Sequence, residues 1–375
     1  MKFTCLQENL VRGLSIVSKA VATRGSLPVL SNVLISAVDG RVKLSSTNLE
    51  TSITTWIGAS VEEEGEITVP SKVFHEYVSN IPPSTITIEG SGTNLKISSD
   101  KVSSKFVGID ASEFPNIAAD ADEVHLTIDP KVFGDAVLET AFASAADETR
   151  PVLTGVLLIG NDEGLYLVGV DGFRLAERSV ASESGKIKKE FSAIIPAKIL
   201  LEVARLTASL KEPLEVSVNK DNTLVVFKSG DVVISSRVID GDFPAYKGLI
   251  PHVDTRSVKV KMASKDLASA LKLANVFAKD SVTVVRFKIS SDDSAVYILS
   301  SNSEVGENSA KIDAEVSGGD LEIAFNSKYI LDVLSNVKSD EFIFECSDKI
   351  GPGVPGVLRP STRDNHLYLI MPMQY

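Results

Sequence analysis

Three times along the chain the same succession of patterns recurs, and no other feature limits its possible folds as strongly. Helix-patterned stretches open at Val69-Pro70-Ser71, Ile195-Pro196-Ala197 and Phe325-Asn326-Ser327. The steps between Pro70, Pro196 and Asn326 are 126 and 130 residues, close to one third of the 375-residue length. Proline suits a helix start, where its missing N–H costs nothing, and asparagine caps free N–H groups. Repeats of this length are whole domains rather than turns of a solenoid.

Each unit also has an earlier helix pattern, with apolar residues at three- and four-residue steps: Leu10, Leu14, Val17 and Val21; Phe133, Val137, Leu138 and Phe142; Leu267, Leu271, Leu273 and Phe277. Short β-rich runs follow, each closed by turn residues: Asn32 to Ser36 before Asp39-Gly40, Gly155 to Ile159 before Gly160-Asn161-Asp162, and Val285 to Ile289 before Asp292-Asp293. The expected fold is α+β, three repeated domains of helix, strands, helix and strands, with sheets covering two helices on one face. The domains are expected at 1–121, 122–253 and 254–375, divided at Ala119-Asp120-Ala121-Asp122 and Pro251-His252-Val253-Asp254.

A net charge of -12 opposes nucleic-acid binding unless the charge is segregated. It is: the helix-patterned segments 7–24, 71–80, 130–143, 196–211, 263–279 and 326–338 together carry +6. Such a split suits an acidic, soluble protein that gathers DNA on its helices. Any one lysine on a solvated helix face can equally mean nothing, and contacts to phosphates would position without reading sequence.

Chemistry is hard to find. His75, His125, His252 and His366 lack a second His or Cys at ligand spacing and are expected at the surface or at caps; no metal site follows. Gly90-Ser91-Gly92 reads as a turn between strands, no phosphate-binding or nucleophile motif is present, and Glu62-Glu63-Glu64 reads as a solvated surface turn. Cys5 and Cys346 are expected to be small buried hydrophobes. No catalytic residue and no cofactor are expected. No apolar run is long enough for a membrane helix, and the early Gln7-Glu8-Asn9 breaks any signal-peptide pattern, so a cytoplasmic location is expected. The segment Val170-Asp171-Gly172-Phe173-Arg174-Leu175 joins a turn, an aromatic and an Arg among apolar groups, which fits either a hairpin turn or the rim of a peptide groove.

Several ordered segments resemble one family: Met1-Lys2-Phe3-Thr4, Arg24 before Leu27-Pro28-Val29-Leu30, Thr47-Asn48-Leu49-Glu50, Glu113-Phe114-Pro115-Asn116, Asp171 to Leu175, Asp240-Gly241-Asp242-Phe243-Pro244, Phe325-Asn326 with Tyr329, and Tyr368 to Met373. Across its full length the chain resembles the bacterial sliding clamp, the beta subunit of DNA polymerase III. The resemblance implies a non-enzymatic processivity factor: a closed ring of two subunits joined head to tail, with helices lining the hole and sheets outside. It implies sequence-nonspecific contacts to double-stranded DNA from Arg24, Lys198 and Arg205, with Lys72, Lys272 and Arg150 as further candidates. Phe106 and Phe277 would pack across the dimer interface, or else within their own cores. A pocket for short linear motifs of the polymerase III catalytic subunit, the clamp loader, other polymerases and repair proteins would comprise Leu153, Val170, Gly172, Phe173, Arg174, Leu175, Pro244, Leu249, Leu369, Met371, Pro372 and Met373, with Arg150, Val152 and Tyr329 at its edge. The chain departs from some members at Phe173, Gly248 and the Gln374-Tyr375 ending. The Gly351–Gly356 loop has no counterpart and is expected to be an excursion near the pocket.

Overall fold

The computed structural model describes all residues except 23–26, 118–122, 209, 279–282, 305, 348–353 and 375. Arg24, the expected boundary at 121 and half of the Gly351–Gly356 loop therefore lie outside the described residues. Six α-helices are described: α1 (Gln7–Val17), α2 (Ser71–Asn80), α3 (Pro130–Leu138), α4 (Ala197–Thr207), α5 (Ser264–Phe277) and α6 (Ser327–Asn336). Within the first and third repeats the two helices pack together, α1 on α2 and α5 on α6. Asn326 caps α6, its side chain accepting from the Lys328 N–H at 3.0 Å.

The helices are shorter than their apolar patterns. After α1 the chain tightens into a 3₁₀ turn, Ser18–Ala20, and after α3 into another, Ala141–Ala143. Apolar spacing reports which residues reach the core, and a 3₁₀ turn buries Ala20 and Ala143 as well as an α-turn would. The electrostatic consequence is a correction: Lys19, Lys211 and Lys338 fall outside the α-helices, and the net charge on the six helices drops to +2. Glu62 and Glu63 are corrected too, since they lie in a strand, Ser60–Glu63, rather than on a turn.

The strands form sheets of five, nine and twelve strands among the described residues. The chain gathers into two compact units, Met1–Phe133 with Lys186–Lys189 and Glu202–Val238, and Gly134–Gly185 with Glu190–Leu201 and Ile239–Tyr375. The second repeat is thus divided between them, because sheets cross the repeat junctions. In the first unit, Val232–Arg237 of repeat two pairs antiparallel with Thr51–Ile57 of repeat one, with Ile234 opposite Ile53. In the second, Arg174–Ala181 of repeat two pairs with His366–Ile370 of repeat three, with Leu175 opposite Leu369. Both junctions join β-branched or aliphatic residues whose inward faces are buried, which fixes register.

Candidate functional site: an apolar pocket beside the last strand

The second of these junctions builds the site. Strand Gly164–Val170 turns back into Arg174–Ala181 through Asp171-Gly172-Phe173. The Asp171 carboxylate accepts from the N–H groups of Phe173 (2.8 Å) and Arg174 (2.9 Å), and Gly172 supplies the left-handed backbone the turn requires, at φ +94°. This geometry turns Phe173 outward, 58% exposed, and Arg174 inward.

Each nitrogen of the Arg174 guanidinium makes a hydrogen bond inside the chain. Its Nε donates to Asp171 (3.0 Å), its Nη1 to Asp332 of α6 (2.5 Å) and its Nη2 to the Phe142 carbonyl (2.6 Å). The guanidinium lies 4.7 Å from the Tyr329 ring centroid and 5.5 Å from that of Phe142. Burial and the Asp171 charge push the Tyr329 phenol above its ordinary pKa, so it stays protonated.

Beyond Ile370 the chain runs on past this turn. The Met371 N–H donates to the Phe173 carbonyl (2.9 Å) and that of Met373 to the Ala324 carbonyl (2.8 Å), which clips Met371, Pro372 and Met373, all half-buried, to the protein. Leu153, Val170, Leu175 and Leu369 share one core cluster with Tyr246, and Val152, Phe243 and Ile250 pack on it. Phe173, Pro244 and Leu249 are exposed around that floor, and Gly248 opens on space. A Cβ at Gly172 would lie 4.0 Å from Arg150 Nη1, so Arg150, named among the DNA candidates, stands at the pocket edge. Sequence reasoning missed Asp332, Phe142 and Tyr246. Only Asp332 left a trace: it stands three residues after Tyr329, on the same helix face.

The remaining cations and aromatics sit elsewhere. Lys72, Lys198 and Lys272 are exposed on α2, α4 and α5, without an ion partner among the described residues. Arg205 is exposed on α4 but pairs with Glu202. Phe106, half-buried on Ser103–Val107, meets Phe74 (5.1 Å) and Tyr77 (5.3 Å) of α2 edge-on. Its strand is outermost in the five-stranded sheet, and its neighbour Val107 is 72% exposed. Phe277 ends α5, half-buried beside the exposed Leu273 and Val276.

Two histidines correct the sequence reading. His125 and His366 are buried. His366 Nε2 lies 2.8 Å from Glu139 Oε2, and the same carboxylate accepts from Arg178 Nε (3.0 Å) and Arg363 Nη1 (3.3 Å). Burial pushes the Glu139 carboxyl up, but His366 and Arg178 outweigh it, and the net shift is downward. Since α3 precedes Glu139 and the last strand carries His366, this cluster also ties repeat two to repeat three. Among the described residues no three His, Cys, Asp or Glu groups could hold a metal, and no helix is long and apolar enough to cross a membrane. A cleft of about 590 Å³ at the N-terminus is lined by charged residues, among them Lys2, Glu63, Glu89, Lys96 and Lys105.

Family models for the N-terminal, central and C-terminal domains of the DNA polymerase III beta subunit match residues 1–118, 127–245 and 247–374. A beta sliding clamp of Synechococcus elongatus is 31% identical over 377 residues, covering 100% of this chain and 99% of that protein. One from Staphylococcus aureus is 28% identical, with the same coverage. The crystal structure of the Pseudomonas aeruginosa sliding clamp bound to griselimycin matches with a TM-score of 0.92 at 27% identity, covering 100% of both chains. That of the Bacillus subtilis DNA polymerase sliding clamp matches with 0.92 at 27%, covering 100% of this chain and 99% of that one. With three clamp domains in order and full-length relatives, the chain belongs to the DNA polymerase III beta subunit family, the sliding clamps, which are non-catalytic processivity factors.

Proposed function

We propose that this sliding clamp acts as a head-to-tail homodimeric ring around duplex DNA and holds polymerases through the pocket beside its last strand. The observation that carries the reading is the pocket: an apolar floor of Leu153, Val170, Leu175 and Leu369, rimmed by exposed Phe173 and Leu249 and by polarizable Met371 and Met373, suits short apolar segments of several partners. Those partners are the polymerase III catalytic subunit, the clamp loader, and other polymerases and repair proteins. Griselimycin, to which the P. aeruginosa clamp is bound, serves as the probe ligand for the proposed pocket here.

Ring closure is supported by two strands with an unpaired side. Ser103–Val107 ends its sheet, and the Gly306–Asp313 part of Gly306–Ser317 pairs only with Ala295–Asn302 among the described residues. Pairing the first with the second of another copy would cover Val107, Leu273, Val276 and Phe277 and close both of these unpaired sides. The division at residues 121 and 253, cytoplasmic residence and phosphate contacts from Arg24, Lys72, Lys198, Arg205 and Lys272 belong to this reading. A closed ring leaves DNA only at an end, so a bound polymerase gains effective concentration at the primer without sequence-specific contacts. Native mass and retention on nicked circular DNA after clamp-loader treatment test it. A species of about twice 40.1 kDa that stays on circles and runs off once they are linearised is expected; a monomer never retained on circles would overturn the ring. In the same preparation Met373→Lys should abolish griselimycin binding, and unchanged binding would remove the pocket assignment.

A further inference from the structure

One wall of the pocket is a span held mainly at its ends. Residues 240–250 carry Phe243, Pro244, Tyr246 and Leu249, yet among the described residues their backbone hydrogen bonds stay inside the segment: Tyr246 N–H to Pro244, Gly248 N–H to Ala245 and Ile250 N–H to Lys247. Before the span, the Ile239 N–H donates to the Ile194 carbonyl at 2.8 Å. After it, Arg256 grips the Pro251 carbonyl twice, with Nε at 3.1 Å and Nη2 at 2.8 Å. Between these ends the wall is held mainly by apolar packing, with Tyr246 buried in the pocket floor cluster, Phe243 and Ile250 against it, and the Glu177 carboxylate beside its phenol.

The Arg256 grip is itself braced. Its Nη1 donates to Glu345 Oε2 at 2.9 Å, and Arg359 Nη2 donates to the other carboxylate oxygen at 3.0 Å. Arg256 and Glu345 side chains are 11% and 8% exposed. Glu345 and Arg359 stand on adjacent paired strands, Glu341–Cys346 and Gly356–Pro360, which also bring Val357 to the pocket cluster. A planar guanidinium with a fixed fork can hold one carbonyl and one carboxylate at a set separation, as a lysine ammonium cannot.

We infer that Arg256, braced by Glu345 and Arg359, is a positioning residue for the pocket: it fixes the far end of the 240–250 wall and so sets the placement of Tyr246 and Leu249. The inference rests on the reading that this pocket takes partner segments. Arg256 touches none of the pocket residues and acts through the Pro251 carbonyl. A wall already in place spares a ligand the cost of ordering it, and loss of the grip appears mainly in the dissociation rate.

The test uses the full-length clamp and Arg256→Met, which keeps an unbranched apolar stem and leaves Glu345 paired with Arg359. Griselimycin affinity and dissociation rate are measured alongside backbone hydrogen exchange at 246–250, native mass and retention on circular DNA. Arg256→Met should weaken griselimycin about tenfold through faster release and speed exchange at 246–250, with mass and DNA retention unchanged; Arg256→Lys should recover little. Unchanged exchange, or faster exchange with unchanged affinity, overturns the inference. Should Arg256→Met fold poorly, Arg359→Gln, which loosens the brace and leaves the grip, must still raise exchange at 246–250, and its failure to do so also overturns it. If native protein fails to bind griselimycin, the pocket reading is what fails, while the exchange measurement still decides whether Arg256 holds the wall.

Discussion

In the pocket each nitrogen of the Arg174 guanidinium makes a hydrogen bond inside the chain, whereas Lys72, Lys198 and Lys272 stand exposed with no ion partner among the described residues. The first arrangement holds a fixed shape, with a cation between two carboxylates and over two rings. The second holds no shape, and its lysines keep their full rotamer freedom. Selecting a peptide requires walls that do not move, because preorganisation reduces the ordering cost of binding. Sliding requires contacts that form and break at every phosphate with little preference, which a flexible, hydrated ammonium provides. On the proposed reading one chain would use its cations in two opposite ways, and the difference lies in what surrounds each.

Removing the arginine should break this contrast most visibly. Arg174→Ala leaves Asp171, Asp332 and the Phe142 carbonyl without their donor, and a loss of about 2 to 4 kcal/mol in unfolding free energy is expected, together with loss of polymerase binding. Arg174→Lys should behave nearly as badly, since one ammonium cannot serve three acceptors and stack on Tyr329. Denaturant unfolding and catalytic-subunit affinity measure both effects. A lysine variant with native affinity would show that charge alone matters and that the fork geometry does not.

Acid should come next in size. Burial pushes the Glu345 carboxyl up, but hydrogen bonds from Arg359 and Arg256 outweigh this, and its pKa, like that of Glu139, lies below the ordinary carboxylate value. A carboxylate depressed by folding stabilises fully above its unfolded pKa of about 4.3, and that stabilisation is lost as pH falls through the lower folded value. Thermal melts from pH 6 to pH 3 should therefore show stability falling below about pH 4, less steeply in Glu345→Gln. Equal slopes for variant and native protein would remove Glu345 from the acid response.

How much of this could be read in the residues follows the same division. The α+β class, the paired helices and the turn at Asp171-Gly172 were legible, because apolar period and turn chemistry are local. Asn326 as a cap was legible for the same reason. The ends of α1 and α3 were not, since Ala20 and Ala143 are buried whether the last turn is α or 3₁₀. Nor was the division of repeat two between units, which depends on Val232–Arg237 meeting Thr51–Ile57 about 180 residues away in sequence. The resemblance, not the spacing, gathered Leu153, Leu175, Leu249 and Met371 into one site, and it said nothing of Asp332. The contact between His366 and Glu139 escaped notice because a hydrogen bond 227 residues apart leaves no periodic mark.

The smallest effects should come from the lysines, and they sharpen the contrast most cleanly. Lys198→Ala, Lys72→Ala and Lys272→Ala should each change stability by less than about 0.5 kcal/mol, since none has a partner to lose. For a clamp loaded on DNA, each true phosphate contact removed should lower the slope of log affinity against log salt by about 0.9. Arg205→Ala should lower it less than Lys198→Ala does, because Arg205 already pairs with Glu202 on the same helix and must leave that carboxylate to meet a phosphate. Affinity for linear duplex, measured between about 50 and 200 mM salt, gives the comparison. If Arg205→Ala proves the larger of the two, pairing with Glu202 does not hold the guanidinium back, and it would instead position Arg205 for the backbone as Asp171 and Asp332 position Arg174 in the pocket.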